Sequence, residues 1–173
     1  SGLLSTSKIS SIYLTKRNLN SLAEFKTYNN AFLTSDNQQA VKHSEIIILA
    51  VQPAHVKGIL SDIKPYLNDS HTIISTITGL DLEAIESLLS KETAIIRAMP
   101  NTAISVGESM TCLCANHLGK QRIAIAETIF NSLGVSLEIN ESLMQAATVV
   151  CASGIAFWMR LVRASTQAAI QLG

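Results

Sequence analysis

The side chains able to do chemistry are gathered in a few short polar stretches. Thr15-Lys16-Arg17 sets two cations side by side after an apolar segment. Such a pair suits phosphate, because the guanidinium makes forked, charge-assisted hydrogen bonds to it. Gln52-Pro53 follows the apolar run 45–51, EIIILAV. Pro53 offers no N–H and has a fixed φ, so it ends a strand ladder and turns the chain. Thr78-Gly79 and Met99-Pro100-Asn101 close two further apolar runs, and Asn101 brings amide donors and an acceptor. Ser153-Gly154 interrupts a helical stretch with two small residues, which lets a helix approach its neighbours closely. No nucleophile–base pair stands at a recognisable spacing, so no catalytic acid or base is assigned. His43, His55, His71 and His117 sit beside polar positions at element edges. Surface positions are expected for all four, and none has metal-ligand spacing.

These turns punctuate alternating strands and helices. Residues 11–15 read as a short strand, followed by a helical stretch through Lys26. The run 45–51 is too short for a typical helix and reads as a strand buried on both faces. Val56, Ile59, Leu60 and Ile63 then recur at helical spacing up to Pro65. Residues 72–77 form the next strand. Asp81 is the expected N-cap of a helix whose apolar stripe is Leu82, Ile85, Leu88 and Leu89. Residues 93–96 lead into the Arg97–Asn101 stretch, 119–133 read as a helix stopped by Gly134, and 135–139 as a strand. The expected fold is α/β: a Rossmann-type, doubly wound, largely parallel sheet, followed by the start of an all-helical domain. Its parts are residues 1–140 and 141–173. In such sheets ligands bind beyond the carboxyl ends of the strands, where these turns lie.

Composition agrees with this reading. Apolar residues make up 47% of the 173 residues and aromatic residues only 5%, so the core must be built from Ile, Leu, Val and Ala. Thirteen basic and thirteen acidic residues balance, and without a basic block there is no electrostatic case for nucleic acid. Cys112, Cys114 and Cys151 are odd in number and include no C-x-x-C. Buried, reduced thiols in a cytoplasmic protein are expected. Residues 143–159 carry no formal charge, but they are interrupted by Gln145, Thr148 and Ser153 and run into Arg160 and Arg163. The stretch is shorter than the ~20 residues a membrane span needs, so a buried helix is expected.

A dinucleotide fold ordinarily carries G-x-G-x-x-G between its first strand and first helix. The motif is absent from this sequence; Ser1-Gly2-Leu3-Leu4 resembles the end of that helix, which places strand and loop upstream. After the second strand such folds discriminate the ribose 2′ position, an acid binding the hydroxyl and basic residues a 2′-phosphate. Lys16 and Arg17 therefore favour NADP(H), with NAD(H) possible.

Arg97-Ala98-Met99-Pro100-Asn101-Thr102 resembles the R-x-M-P-N-T stretch of pyrroline-5-carboxylate reductases, and Val106-Gly107-Glu108-Ser109-Met110-Thr111 follows at family-like spacing. Asp36-Asn37 with Ile48-Leu49-Ala50-Val51-Gln52-Pro53 is similar to the family's "DN…ILAVKP", Gln52 standing for the usual Lys. Thr76-Ile77-Thr78-Gly79 stands at "IAAG", and Leu143-Met144 with Ala152-Ser153-Gly154-Ile155-Ala156 is similar to "LM…GSGPA". The resemblance implies that Ala50, Val51 and Pro53, with Gln52 beside them, line adenosine and ribose. It also puts Asn37 at the adenine end and Met99, Pro100 and Asn101 near the nicotinamide, with Thr15 and Thr78-Gly79 on the same edge. Ser153 and Gly154 are implied near substrate. The implied activity is hydride transfer to a cyclic imine to give proline, in a homodimer or higher homo-oligomer built through the C-terminal helices. The family's Ser-Pro-Gly-Gly-Thr substrate loop is absent, and Arg163 and Gln167 stand where an acidic pair is common. The chain by itself is therefore expected to be inactive. Two other readings stay open: another imine or 2-keto/3-hydroxy acid reductase, and a non-catalytic dinucleotide-binding or dimerisation fragment.

Overall fold

The structure, a computed structural model, describes residues 2–5, 9–90 and 92–173. Among the described residues, seven strands form two sheets. β1 (Ile12–Thr15) pairs with β2 (Ala31–Thr34), and the larger sheet has the order β3 (Ile46–Leu49), β4 (Thr72–Ser75), β5 (Ala94–Met99), β6 (Ser109–Ala115), β7 (Gly134–Glu138). All pairings are parallel except β5 with β6. The helices are α1 (Asn37–Lys42), α2 (Val56–Ile63), α3 (Leu82–Leu88), α4 (His117–Lys120), α5 (Ile123–Asn131), α6 (Met144–Ala147) and α7 (Gly154–Leu172). A π-helical turn, Thr148–Ser153, joins α6 to α7.

Adjacent residues on a strand point to opposite faces, and here they feed two cores. Ile73, Ile95, Cys112 and Cys114 face one core, with Val56, Leu60 and Ile63 from α2 and Ile85 from α3. Ile74, Ile96, Ala98 and Leu113 face the other, against Ala126, Ile129 and Phe130 of α5. The doubly wound arrangement follows from that division. Val56, Leu60 and Ile63 recur at i, i+4 and i+7, which gives α2 a single buried stripe. Asp81 caps α3 as expected, its Oδ1 accepting from the Ala84 N–H at 2.8 Å.

Several expectations need correction. The stretch after β1 is 3-10 helical over Leu19–Thr27, and none of its residues is buried; without an apolar stripe to pack, it lacks the force that closes an α-helix. The run 45–51 is not buried on both faces: Leu49 alone of β3 is buried, and Ile48 is exposed. β3 is the edge of its sheet and faces β1 across a cleft lined by Tyr13, Thr15, Val41, Ile46 and Leu49. In the 3-2-1-4-5-6 order of dinucleotide folds, the cleft lies where strand 1 belongs. Residues 119–133 are two helices, split where the Arg122 guanidinium donates to the carbonyls of Ser70 and His71 at 2.8 and 3.1 Å. β6 was not expected, because six of its seven residues are buried and no period-two alternation shows. Gly134 opens β7 rather than only ending a helix. His71 is buried, not superficial: its Nδ1 accepts from the Asn68 N–H at 2.9 Å, leaving Nε2–H to donate to the Val41 carbonyl at 3.2 Å.

Beyond β7 the chain is helical. Met144 is buried beneath the sheet's first core, but α7 has no buried residue and exposes Phe157, Trp158, Leu161 and Val162. The run Glu141–Leu172 is long and apolar enough to cross a membrane, with a mean hydropathy of 1.4 in its most apolar window and 6% of that window buried. The expected buried helix is thus not buried within this chain.

Candidate functional site at the carboxyl edge of the sheet

β3, β4 and β5 run in the same direction, so the residues after Leu49, Ser75 and Met99 emerge on one edge. Ala50, Gln52, Pro53, Thr78 and Gly79 are exposed there. Gly79 has φ +77° with open space around it, so the turn itself needs glycine. At the end of β1, Thr15, Lys16 and Arg17 are exposed as well. Thr15, Asn37 and Val51 line the same cleft, between β1, the first turn of α1 and the end of β3. Asp36 holds that turn, accepting from the N–H groups of Gln38 and Gln39 at 2.9 and 3.1 Å. The geometry provides a groove with apolar walls, small polar groups at its mouth and two free-standing cations at its rim.

Met99, Pro100 and Asn101 are placed differently. Arg97, Ala98 and Met99 belong to β5 rather than to a loop, and the Met99 side chain packs in the first core. What the edge receives from Met99 is backbone. Asn101 is buried, and its polar atoms are already engaged. Its N–H donates to Ser109 Oγ at 3.2 Å, its Oδ1 accepts from the Ala103 N–H at 3.0 Å, and its Nδ2 donates to the Cys151 carbonyl at 2.9 Å. The last bond reaches into the π turn, where the ladder widens to i→i+5 spacing. Gly154 belongs to the same feature: a Cβ there would stand 2.5 Å from the Val149 carbonyl oxygen. Ser153 is exposed. The structure therefore joins two motifs that are far apart in sequence, Asn101 fastening the turn that Gly154 makes sterically possible.

A second fastening was not anticipated. Arg97, 7% exposed, donates from Nη1 to Glu141 Oε1 at 2.8 Å, and the same carboxylate accepts the Leu82 N–H at the start of α3. Glu141 thus ties the central strand, a helix N-terminus and the entry to the C-terminal helices. Burial, then the Glu141 charge, pushes the neighbouring Cys114 thiol up to about 11. Sequence reasoning had marked Arg97 as part of a motif. The acid opening a helical segment was the available sign of its partner.

The family model described as "NADP oxidoreductase coenzyme F420-dependent" matches residues 1–79. Pyrroline-5-carboxylate reductase 1 of Dictyostelium discoideum is 37% identical over 96% of this chain and 32% of its own length. Pyrroline-5-carboxylate reductase 2 of the same organism is 36% identical over 96% of this chain and 60% of its own. The chain spans about a third and three fifths of these curated relatives. Among solved structures, a pyrroline-5-carboxylate reductase from Coxiella burnetii superimposes with a TM-score of 0.92 at 31% identity, over 99% of this chain and 65% of that one. A Plasmodium falciparum pyrroline carboxylate reductase with NADP bound gives 0.83 at 28%, over 99% of this chain and 64% of that one.

Proposed function

The chain belongs to the pyrroline-5-carboxylate reductase family, and from that premise we propose that it serves the reduction of pyrroline-5-carboxylate to proline with NADP(H). The observation that carries this reading is the agreement over 99% of the chain with the Coxiella burnetii reductase, at a TM-score of 0.92 and 31% identity. Residues 1–140 hold the dinucleotide in this reading, and residues 141–173 open a helical domain shared with a second copy.

The carboxyl-end rim of the cleft suits a dinucleotide. Thr15, Asn37 and Val51 edge it, beside the exposed Ala50, Gln52 and Pro53. Lys16 and Arg17 stand free at the rim as receptors for a 2′-phosphate. When bound, the dinucleotide supplies the hydride. The chain's own part is to bind and orient: Thr15 and the basic pair at the ribose, Thr78 and Gly79 along the edge, Pro100 and the Met99 backbone toward the nicotinamide end. Asn101 acts through its hold on the π turn, which positions Ser153 and Gly154 beside the substrate. No side chain is given a proton-transfer role.

The exposed apolar face of α7 is assigned to a partner copy rather than to lipid. Arg160 and Arg163 lie within the helix, and its preceding segment is anchored on the sheet through Met144 and Cys151. A homo-oligomer follows from this reading, and the three free cysteines favour a reducing, cytoplasmic compartment for it.

The deciding assay follows NADPH oxidation by the full-length protein with pyrroline-5-carboxylate, against a panel of 2-keto and 3-hydroxy acids. Turnover of the cyclic imine above all others is expected, and none with that imine would sink the proposal. Arg17→Ala tests the cofactor half. Loss of a charge-assisted phosphate contact is worth roughly 1.5–3 kcal/mol, so NADPH should bind about tenfold or more weakly, with NADH little changed. Equal weakening of both would remove the 2′-phosphate role.

A further inference from the structure

Two polar side chains beside the basic pair have no part in the site described so far. Thr34 closes β2 in parallel register with Thr15, which closes β1. Tyr13 and Phe32, two residues earlier on these strands, stack on one face with ring centroids 4.9 Å apart. Period-two alternation puts Thr15 and Thr34 on that face as well. The turn that follows Thr15 is tied to the same strand end, because the Lys16 N–H donates to the Thr34 carbonyl at 3.2 Å. Gln39 reaches this corner from α1. The Asp36 N–H donates to Thr34 Oγ1 at 3.1 Å, and the Thr34 hydroxyl gives its own proton to Gln39 Oε1 at 2.9 Å. That bond fixes which way the carboxamide faces: its oxygen meets the strand end, and the two donors of Nε2 point away from it. Gln39 is exposed, and its Nε2 has no acceptor among the described residues. Asp36, the carboxylate of this turn, accepts the Gln38 and Gln39 N–H groups.

We propose that Gln39 is a specificity-determining residue for the cofactor, donating from Nε2 to the 2′-phosphate that Lys16 and Arg17 receive. Thr34 is its positioning residue. The inference rests on the NADP(H) reading above and adds a residue which that reading did not assign. An ionised phosphate accepts hydrogen bonds, so it is attracted by a carboxamide that presents N–H groups and repelled by one that presents its oxygen. Thr34 removes the second orientation by occupying Oε1. The two cations at the rim draw in any phosphate, whereas a carboxamide held by its oxygen offers donors in one direction only. Gln39→Glu separates these contributions. A carboxylate still accepts the Thr34 hydroxyl proton, but it replaces both donors with a negative charge.

The test measures binding of NADPH and of NADH to the full-length protein by calorimetry, without turnover. Gln39→Ala should weaken NADPH about tenfold, the size of one hydrogen bond to a charged acceptor, and leave NADH within about twofold. Gln39→Glu should weaken NADPH by about a further fivefold through like charge, again sparing NADH. Thr34→Val, which frees the carboxamide to turn, should fall between wild type and Gln39→Ala. In NMR spectra of the wild type, the Gln39 side-chain amide protons should shift with adenosine 2′,5′-bisphosphate and stay in place with adenosine 5′-monophosphate. That measurement does not depend on any variant folding, and an equal response to both nucleotides would overturn the proposal. So would equal loss of NADPH and NADH in Gln39→Ala, or unchanged NADPH binding in both Gln39 variants. Arg17→Ala, measured alongside, locates the fault. Weaker NADPH binding there but not in the Gln39 variants refutes the role of Gln39 alone. A wild type that does not distinguish NADPH from NADH refutes the 2′-phosphate reading, and the role of Gln39 with it.

Discussion

Glu141→Ala is expected to destabilise the chain by roughly 3 kcal/mol, because it strands a buried guanidinium. Arg97 is 7% exposed and meets the Glu141 carboxylate at 2.8 Å. Taking away one member of such a pair leaves the other charge without compensation, a larger effect than loss of the attraction itself. The Leu82 N–H also loses its 2.8 Å acceptor at the start of α3, which adds about 1 kcal/mol. The Glu141 side chain is 33% exposed, so water screens part of the pair and holds the total below the upper range for wholly buried ions. Glu141→Gln keeps an oxygen for both donors and should cost about half as much. The double change Arg97→Met with Glu141→Leu should recover most of the loss, since neither charge then needs solvation. Urea unfolding of the four proteins measures this through the midpoint at constant slope. A Glu141→Ala unfolding free energy within about 0.5 kcal/mol of wild type would show that Arg97 draws its compensation from elsewhere.

The alternation of strands and helices from β3 to β5, the α2 stripe and the Asp81 cap were legible because each is a local pattern with a local cause. Val56, Leu60 and Ile63 announce a helix face without reference to anything distant. β6 was not legible. All residues of β6 but Met110 are buried, on both faces between β5 and β7, so apolar and small residues follow one another without alternation. The run 45–51 misled for the converse reason: its composition suits a sheet interior, whereas β3 stands at a sheet edge facing a cleft. The strand ends that carry Lys16, Arg17, Gln52 and Pro53 could be located from turn chemistry, and those residues are exposed there. Asn101 stood out in the sequence, but its bonding did not, since its partner is a main-chain carbonyl fifty positions later. No pairing rule in sequence marks a backbone oxygen as needing a donor. Only the π turn creates that need.

Gly134→Ala is expected to be the most damaging single substitution at this junction, and its effect should travel to the π turn. Gly134 has φ +143°, a region L-residues avoid, and a Cβ there would press into the nitrogen, carbonyl carbon and oxygen of Ser109. Backbone strain of roughly 1–3 kcal/mol combines with overpacking of similar size, for a total of about 4 kcal/mol and a melting point lowered by roughly 10 °C or more. Gly79→Ala is the comparison: φ is +77° but nothing stands within 4 Å, so about 1–2 kcal/mol of conformational cost is expected alone. The location of the clash matters as much as its size. Ser109 pairs with Gly134 in the β6–β7 register, and its Oγ accepts the Asn101 N–H at 3.2 Å. Displacing Ser109 loosens Asn101, and Asn101 is what holds the Cys151 carbonyl. Amide exchange across Thr148–Ser153 should therefore quicken in Gly134→Ala more than in Gly79→Ala, compared at equal margins below their melting points. Equal protection of that turn in both variants would confine the role of Gly134 to strand pairing and break the connection from β7 to the C-terminal helix.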